Sequence, residues 1–119
     1  MTDKTIIDLD DALNRALGDA AFLKMMFDEF QLSLDDFISD IETAIRDGDA
    51  SAIDRVAHQL KGASANLGIV SVAAAALTLE RMGKNGQIDQ AGPAFQALKV
   101  AIKDFHDQLA LIDWAVLGE

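Results

Sequence analysis

The feature that most narrows the fold is one uninterrupted stripe. Leu23, Met26, Phe27, Phe30, Leu34, Phe37, Ile38, Ile41 and Ile45 recur at three- and four-residue steps across a segment free of proline and glycine. That period places them on one face of a long helix, and a helix with one apolar face must bury it against others. Asp19 is placed to cap its start, and Asp47-Gly48-Asp49 to break it after about Arg46, with Gly48 a good left-handed terminator. The same period continues downstream. Ile53, Val56, Ala57, Leu60, Ala63 and Leu67 define a third helix from about Ala50 to Leu67, closed by Gly68. Ser71 is placed to cap a fourth, with core positions Val72, Ala76, Leu79 and Met82, running to about Lys84 before Asn85-Gly86. Gly92-Pro93 opens a fifth, whose stripe is Phe95, Leu98, Ile102, Phe105, Leu109 and Ile112; proline is tolerated in a first turn. A short first helix is expected from about Leu9 to Leu17, ended by Gly18.

No strand-like alternation competes with this reading, so the fold class is all-α. Short loops between long amphipathic helices favour antiparallel neighbours. The expectation is an antiparallel up-down-up-down four-helix bundle, with the short N-terminal helix across one end. All 119 residues then form a single domain with a bundle core over about residues 19–112.

Charge and composition exclude several functions. Twenty acidic against ten basic side chains give a net charge of −10, and the pI is about 4.4. Such a surface repels nucleic-acid phosphates and anionic membranes. With no cysteine, disulfides, thiolate chemistry and cysteine-held zinc are ruled out. The polar start Met1-Thr2-Asp3-Lys4-Thr5 lacks the pattern of a secretory signal, and no run approaches the roughly 20 apolar residues of a spanning helix. A cytoplasmic protein is expected, and a monomer, since the stripes can be buried internally.

The third helix carries more than packing. His58 lies off the core stripe, and the face it shares includes Asp54, Lys61, Gly62 and Ala65. Glycine inside a helix costs up to about 1 kcal/mol against alanine, so something must need the missing side chain. Close approach by another molecule is one reason and close helix packing is another.

These residues resemble a known family. His58-Gln59-Leu60-Lys61-Gly62, followed six residues later by Gly68, is similar to the H-x-L-K-G motif of histidine-containing phosphotransfer (HPt) domains. Ala57 before the histidine, Leu79-Glu80 on the next helix, Phe30 in the long helix and Gly48-Asp49 ahead of the active helix also fit. The resemblance implies that His58 accepts a phosphoryl group on Nε2, acting as a neutral nucleophile; imidazole is largely unprotonated at neutral pH. It implies that Glu80 orients the ring through the other nitrogen, and that Lys61 offsets charge on the phosphoryl oxygens, with Lys84 a weaker second cation. Gly62 and Ala65 would keep the surface low for a partner. Ile69 and Leu77 are candidates for exposed apolar docking residues, and Gly68 for a structural helix terminator.

The partners so implied are response-regulator receiver domains or a hybrid histidine kinase. No cofactor is expected on this chain: it has no phosphate-binding glycine loop, no metal site is expected, and the Mg²⁺ of the reaction would belong to the receiver. The chain would be a phosphocarrier rather than an ATP-using enzyme, acting as a stand-alone protein or as a piece of a larger kinase. The alternative is a helical module that binds a receiver or kinase without passing phosphate. His106 lacks the Lys-Gly context and reads as a surface residue. Met25, Met26 and Met82 read as core or rim filler.

Overall fold

The computed structural model describes residues 5–117, and every element among them is helical. α1 spans Leu9–Arg15, α2 Ala20–Arg46, α3 Ala50–Asn66, α4 Val70–Asn85, α5 Ala91–Ala110 and α6 Trp114–Leu117, with one 3-10 turn at Ile88–Gln90. No helix among the described residues is long and apolar enough to cross a membrane.

Aspartates fix three helix starts. The side chains of Asp8, Asp19 and Asp49 accept from the backbone N–H groups of Asp11, Phe22 and Ala52, satisfying donors that the first turn leaves orphaned. Ser71 does not play this role for α4. The helix starts one residue earlier, at Val70, with Ile69 in the capping position and no side-chain cap. With the helix starting there, the Ser71 N–H is a first-turn donor that Ile69 has no side-chain oxygen to accept; it donates instead to the Ile6 carbonyl at 3.3 Å, in the strip of chain ahead of α1. The Ser71 hydroxyl is left buried without a partner among the described residues.

The four long helices pack in a ring, each on the next in sequence and α5 back onto α2. Leu23, Phe27, Phe30, Leu34 and Ile41 of α2 meet Ile53, Val56 and Leu60 of α3, Val72, Ala76 and Leu79 of α4, and Phe95, Leu98, Ile102 and Phe105 of α5 in one buried core. Phe105 packs edge-on against both Phe27 and Phe30, with centroids 6.0 and 5.6 Å apart. Trp114 of α6 closes edge-on against Phe27 at 5.9 Å.

Two close approaches fix the ends of the α3–α4 pair. Gly68 adopts φ +70°, and a Cβ there would lie 2.8 Å from the Asp8 carbonyl oxygen and 3.1 Å from the Ala12 Cβ; glycine is needed both for the turn and for the seating of α1. The Asp8 N–H donates to the Gly68 carbonyl at 2.8 Å and anchors α1 beside this turn, where Ala12 and Ala16 are buried. Further along, Gly83 of α4 lies so near α3 that a Cβ would sit 2.5 Å from the Asp54 nitrogen and 2.8 Å from the Ala50 oxygen. The two backbones nearly touch, and α3 and α4 run antiparallel: residues 80–83 face residues 50–61, while Ile69 folds back on Ser64.

Candidate functional site

The site forms where α3 and α4 are held closest. On α3, Ile53, Val56, Ala57, Leu60 and Ser64 turn inward. The opposite face presents His58, with 66% of its side chain exposed. Ser64 is fully buried although polar, because its hydroxyl donates to the Leu60 carbonyl at 2.6 Å within its own helix.

Facing His58 across the groove is Glu80 of α4, whose side chain is only 2% exposed. Its carboxylate is shared. The Nδ1 of His58 lies 3.2 and 3.1 Å from Oε1 and Oε2, and the Lys61 ammonium donates to the same two oxygens at 2.7 and 2.9 Å. Burial alone would push a carboxyl toward its neutral form. Here the Lys61 hydrogen bond outweighs that desolvation; the His58 bond and the charges of Lys61 and Lys84 add to it, and Glu80 is held below the ordinary glutamate value of 4.5. An ionised carboxylate only accepts hydrogen bonds. Nδ1 must therefore carry the ring proton and donate it to Glu80, leaving the Nε2 lone pair free on an exposed ring.

The other residues singled out in the sequence divide clearly. Gly62 is exposed, and a Cβ there would meet nothing within 4 Å, so packing between helices does not account for it. Ala65 is exposed on the same face, as is Lys84 near Glu80 on α4. Ile69 is a correction: it is fully buried rather than exposed. The left-handed Gly68 turns the chain inward, and the Ile69 N–H bonds back to the Ser64 carbonyl at 2.9 Å, which drives its side chain into the core. Val70, the next residue, is the exposed apolar one there, at 42%. Leu77 is half-buried rather than exposed, so it offers a partner less apolar surface than expected. Gly68 is buried at the end of α3, in the left-handed conformation described above. Met25 is exposed, and Met26 and Met82 are half-buried against the core. His106 is exposed and bonds through Nδ1 to the Gln31 amide at 2.9 Å, well away in sequence from the His58 group. Gly83 was missed. Its signal was available: it lies three residues after Glu80, on the core side of the same helix. No set of three or more potential metal ligands gathers among the described residues.

These features define a helical bundle that displays one exposed imidazole, fixed through Nδ1 by a buried anion and flanked by a cation and a bare stretch of helix. A family model described as Hpt domain matches residues 25–110, and the chain belongs to that family, whose members take part in histidine phosphotransfer in phosphorelays. No curated protein and no solved structure matched the chain.

Proposed function

We propose that this chain is a cytoplasmic phosphocarrier of a two-component phosphorelay, in which His58 takes a phosphoryl group from a receiver-domain aspartate and passes it to another. The observation that carries the reading is the exposed His58 ring tethered through Nδ1 to the buried Glu80.

The chemistry follows from that tether. The Nε2 lone pair attacks phosphorus, the P–O bond to the receiver aspartate breaks, and the aspartate leaves as a carboxylate with the bonding pair. Nδ1 keeps its proton, so the product ring is a cation, and Glu80 stands ready as its counter-ion. A cationic phosphoimidazole remains a good donor, which keeps the exchange reversible. Lys61 acts twice. Two of its three N–H donors hold Glu80 ionised, and the third is free for a phosphoryl oxygen. Gly62 and Ala65 let the partner's backbone come near the ring. Any Mg²⁺ in the reaction would be held by the receiver.

The test is transfer from a phosphorylated receiver to the purified chain. The expected product is acid-labile, base-stable phosphate on Nε2 of His58, identified by ¹⁵N–³¹P coupling, and none on His58→Ala. Phosphate on His58→Ala, or tight receiver binding with no transfer to the wild type, would overturn the reading; the second outcome would identify a non-transferring binding module.

A further inference from the structure

We infer that Arg55, Arg81 and Lys84 form a steering patch around His58 that captures the acidic rim of the phosphorylated partner. This rests on the phosphocarrier reading and names the surface through which it operates.

The chain is strongly acidic as a whole but divided by region. Residues 50–85, which hold α3 and α4, carry four cations (Arg55, Lys61, Arg81, Lys84) and two acids (Asp54, Glu80), a net of +2, against −12 for the remainder of a chain whose total is −10. Burial sharpens the contrast. Glu80 is buried and paired with Lys61, so that pair contributes little to the distant field. Asp54 is half-buried against α4. What α3 and α4 expose as charge is therefore cationic: Arg55, Arg81 and Lys84. On α2 the exposed charges are mostly Asp28, Glu29, Asp35, Asp36, Asp40 and Glu42.

The pairing pattern sets these three apart from most other cations; Arg46 also lacks an ion pair, but it bonds the Thr43 hydroxyl on its own helix. Arg15, Lys24 and Lys103 each bond an aspartate one turn away on their own helix. Lys99 lies over the Phe95 ring. Arg55, Arg81 and Lys84 form no ion pair among the described residues. Their placement is related, although Arg55 also borders a groove lined by Asp40, Asp47 and Asp49. Arg55 lies one turn before His58 on the same face of α3, Lys84 one turn after Glu80, and Arg81 one turn before Lys84. Lys84 is near enough for its charge to help keep Glu80 ionised.

A dianionic phosphoryl group set among the carboxylates of a receiver's acidic pocket is the complement of such a patch. The acidic α2 surface repels the same partner, so a productive approach is favoured over a reversed one. Fields of this kind raise association rates by about 10- to 1,000-fold at low salt, and they fade beyond a screening length of about 8 Å at physiological ionic strength.

The test compares two double charge reversals in the full chain. Arg55→Glu/Arg81→Glu weakens the patch and leaves Lys84, whose charge acts on Glu80, in place. Lys24→Glu/Lys103→Glu makes the same net change elsewhere. Association with a beryllofluoride-loaded receiver is followed by stopped flow, and single-turnover transfer is measured, both in 20 mM and 500 mM salt. The patch variant should associate about 10-fold or more slowly at 20 mM salt, converge toward wild type at 500 mM, and keep its transfer rate at saturating receiver. The control should change less than about 2-fold. Equal losses in both variants, or a loss that salt does not relieve, would overturn the patch. Wild-type transfer with an unaffected patch variant would sink the patch alone, whereas a wild type that neither binds nor accepts phosphate from any receiver would sink the phosphocarrier reading with it.

Discussion

Alanine placed at Gly62 and, in a separate chain, at Gly83 should move stability in opposite directions. Both residues sit inside helices, where glycine costs up to about 1 kcal/mol relative to alanine. At Gly62 the added methyl meets nothing within 4 Å, so the propensity gain is kept whole. Gly62→Ala should stabilise the fold by about 0.5–1 kcal/mol and raise Tm by roughly 4 °C. At Gly83 the new Cβ would lie 2.5 Å from the Asp54 nitrogen and 2.8 Å from the Ala50 oxygen, both backbone atoms that cannot rotate away. Reaching ordinary contact requires α3 and α4 to part by about 1 Å, and such overpacking costs about 1–3 kcal/mol or more, exceeding the propensity gain. The same parting reaches the site. The His58–Glu80 bonds, at 3.1 and 3.2 Å, have little length to spare before they cease to be hydrogen bonds. Gly83→Ala should therefore be less stable, and its His58 ring should lose the single tautomer that Glu80 imposes. Urea unfolding followed by circular dichroism gives the first quantity, and ¹⁵N shifts of the His58 ring the second. Equal stabilisation by both alanines, or a Gly83→Ala chain with an unchanged His58 ring spectrum, would refute the argument.

Other perturbations act on the charged triad and on one orphaned group. Because Lys61 and His58 hold Glu80 below its ordinary value of 4.5, its contribution to stability is complete above about pH 4.5 and is lost as the pH falls through the lower folded-state value; acid unfolding monitored by fluorescence of Trp114 should show this limb. Lys61→Met removes the main opponent of desolvation, so the limb should move to higher pH and stability at pH 7 should fall by about 3 kcal/mol; an unmoved limb would deny Lys61 that role. Glu80→Gln keeps an acceptor for Nδ1–H but removes the counter-ion for a phosphorylated ring, so stability should stay within about 1 kcal/mol of wild type while phosphohistidine formation slows, as measured by single-turnover transfer. Ser71→Ala deletes a buried hydroxyl without a partner and should leave stability unchanged or raise it by up to about 1 kcal/mol in the same urea assay.

Periodicity and punctuation reported the scaffold well because each signal was local. Asp19 and Gly48 bound α2 from within a few residues of its ends, and Pro93 falls in the first turn of α5 as its fixed φ requires. Long-range effects were less visible. Ser71 looked like a cap because serine favours that position, and nothing near it in sequence announces that the helix begins at Val70 with the Ser71 N–H held by Ile6. Ile69 looked exposed because it follows a turn glycine, but the direction in which Gly68 sends the chain is a three-dimensional fact. The proximity of Glu80 to His58, across 22 positions, came only from resemblance to a family; spacing does not bring two helices together.

The two mid-helix glycines show why this boundary falls where it does. A missing Cβ says that something comes close, and it does not say whether that something belongs to the same chain. Gly62 opens onto empty space, whereas Gly83 is filled by the backbone of α3. They serve one end from opposite sides. Gly83 brings α4 near enough for a buried carboxylate to reach His58 from beneath, and Gly62 leaves the outer side bare for whatever approaches from above. The burial of Glu80 belongs to the same arrangement. A carboxylate in solvent would be a weak and mobile acceptor, but one sunk between two helices and clamped by Lys61 has a single position to offer the ring. The desolvation cost is accepted in a fold whose core is apolar apart from Ser64, and what it secures is orientation: Nδ1 is committed inward, so Nε2 faces solvent.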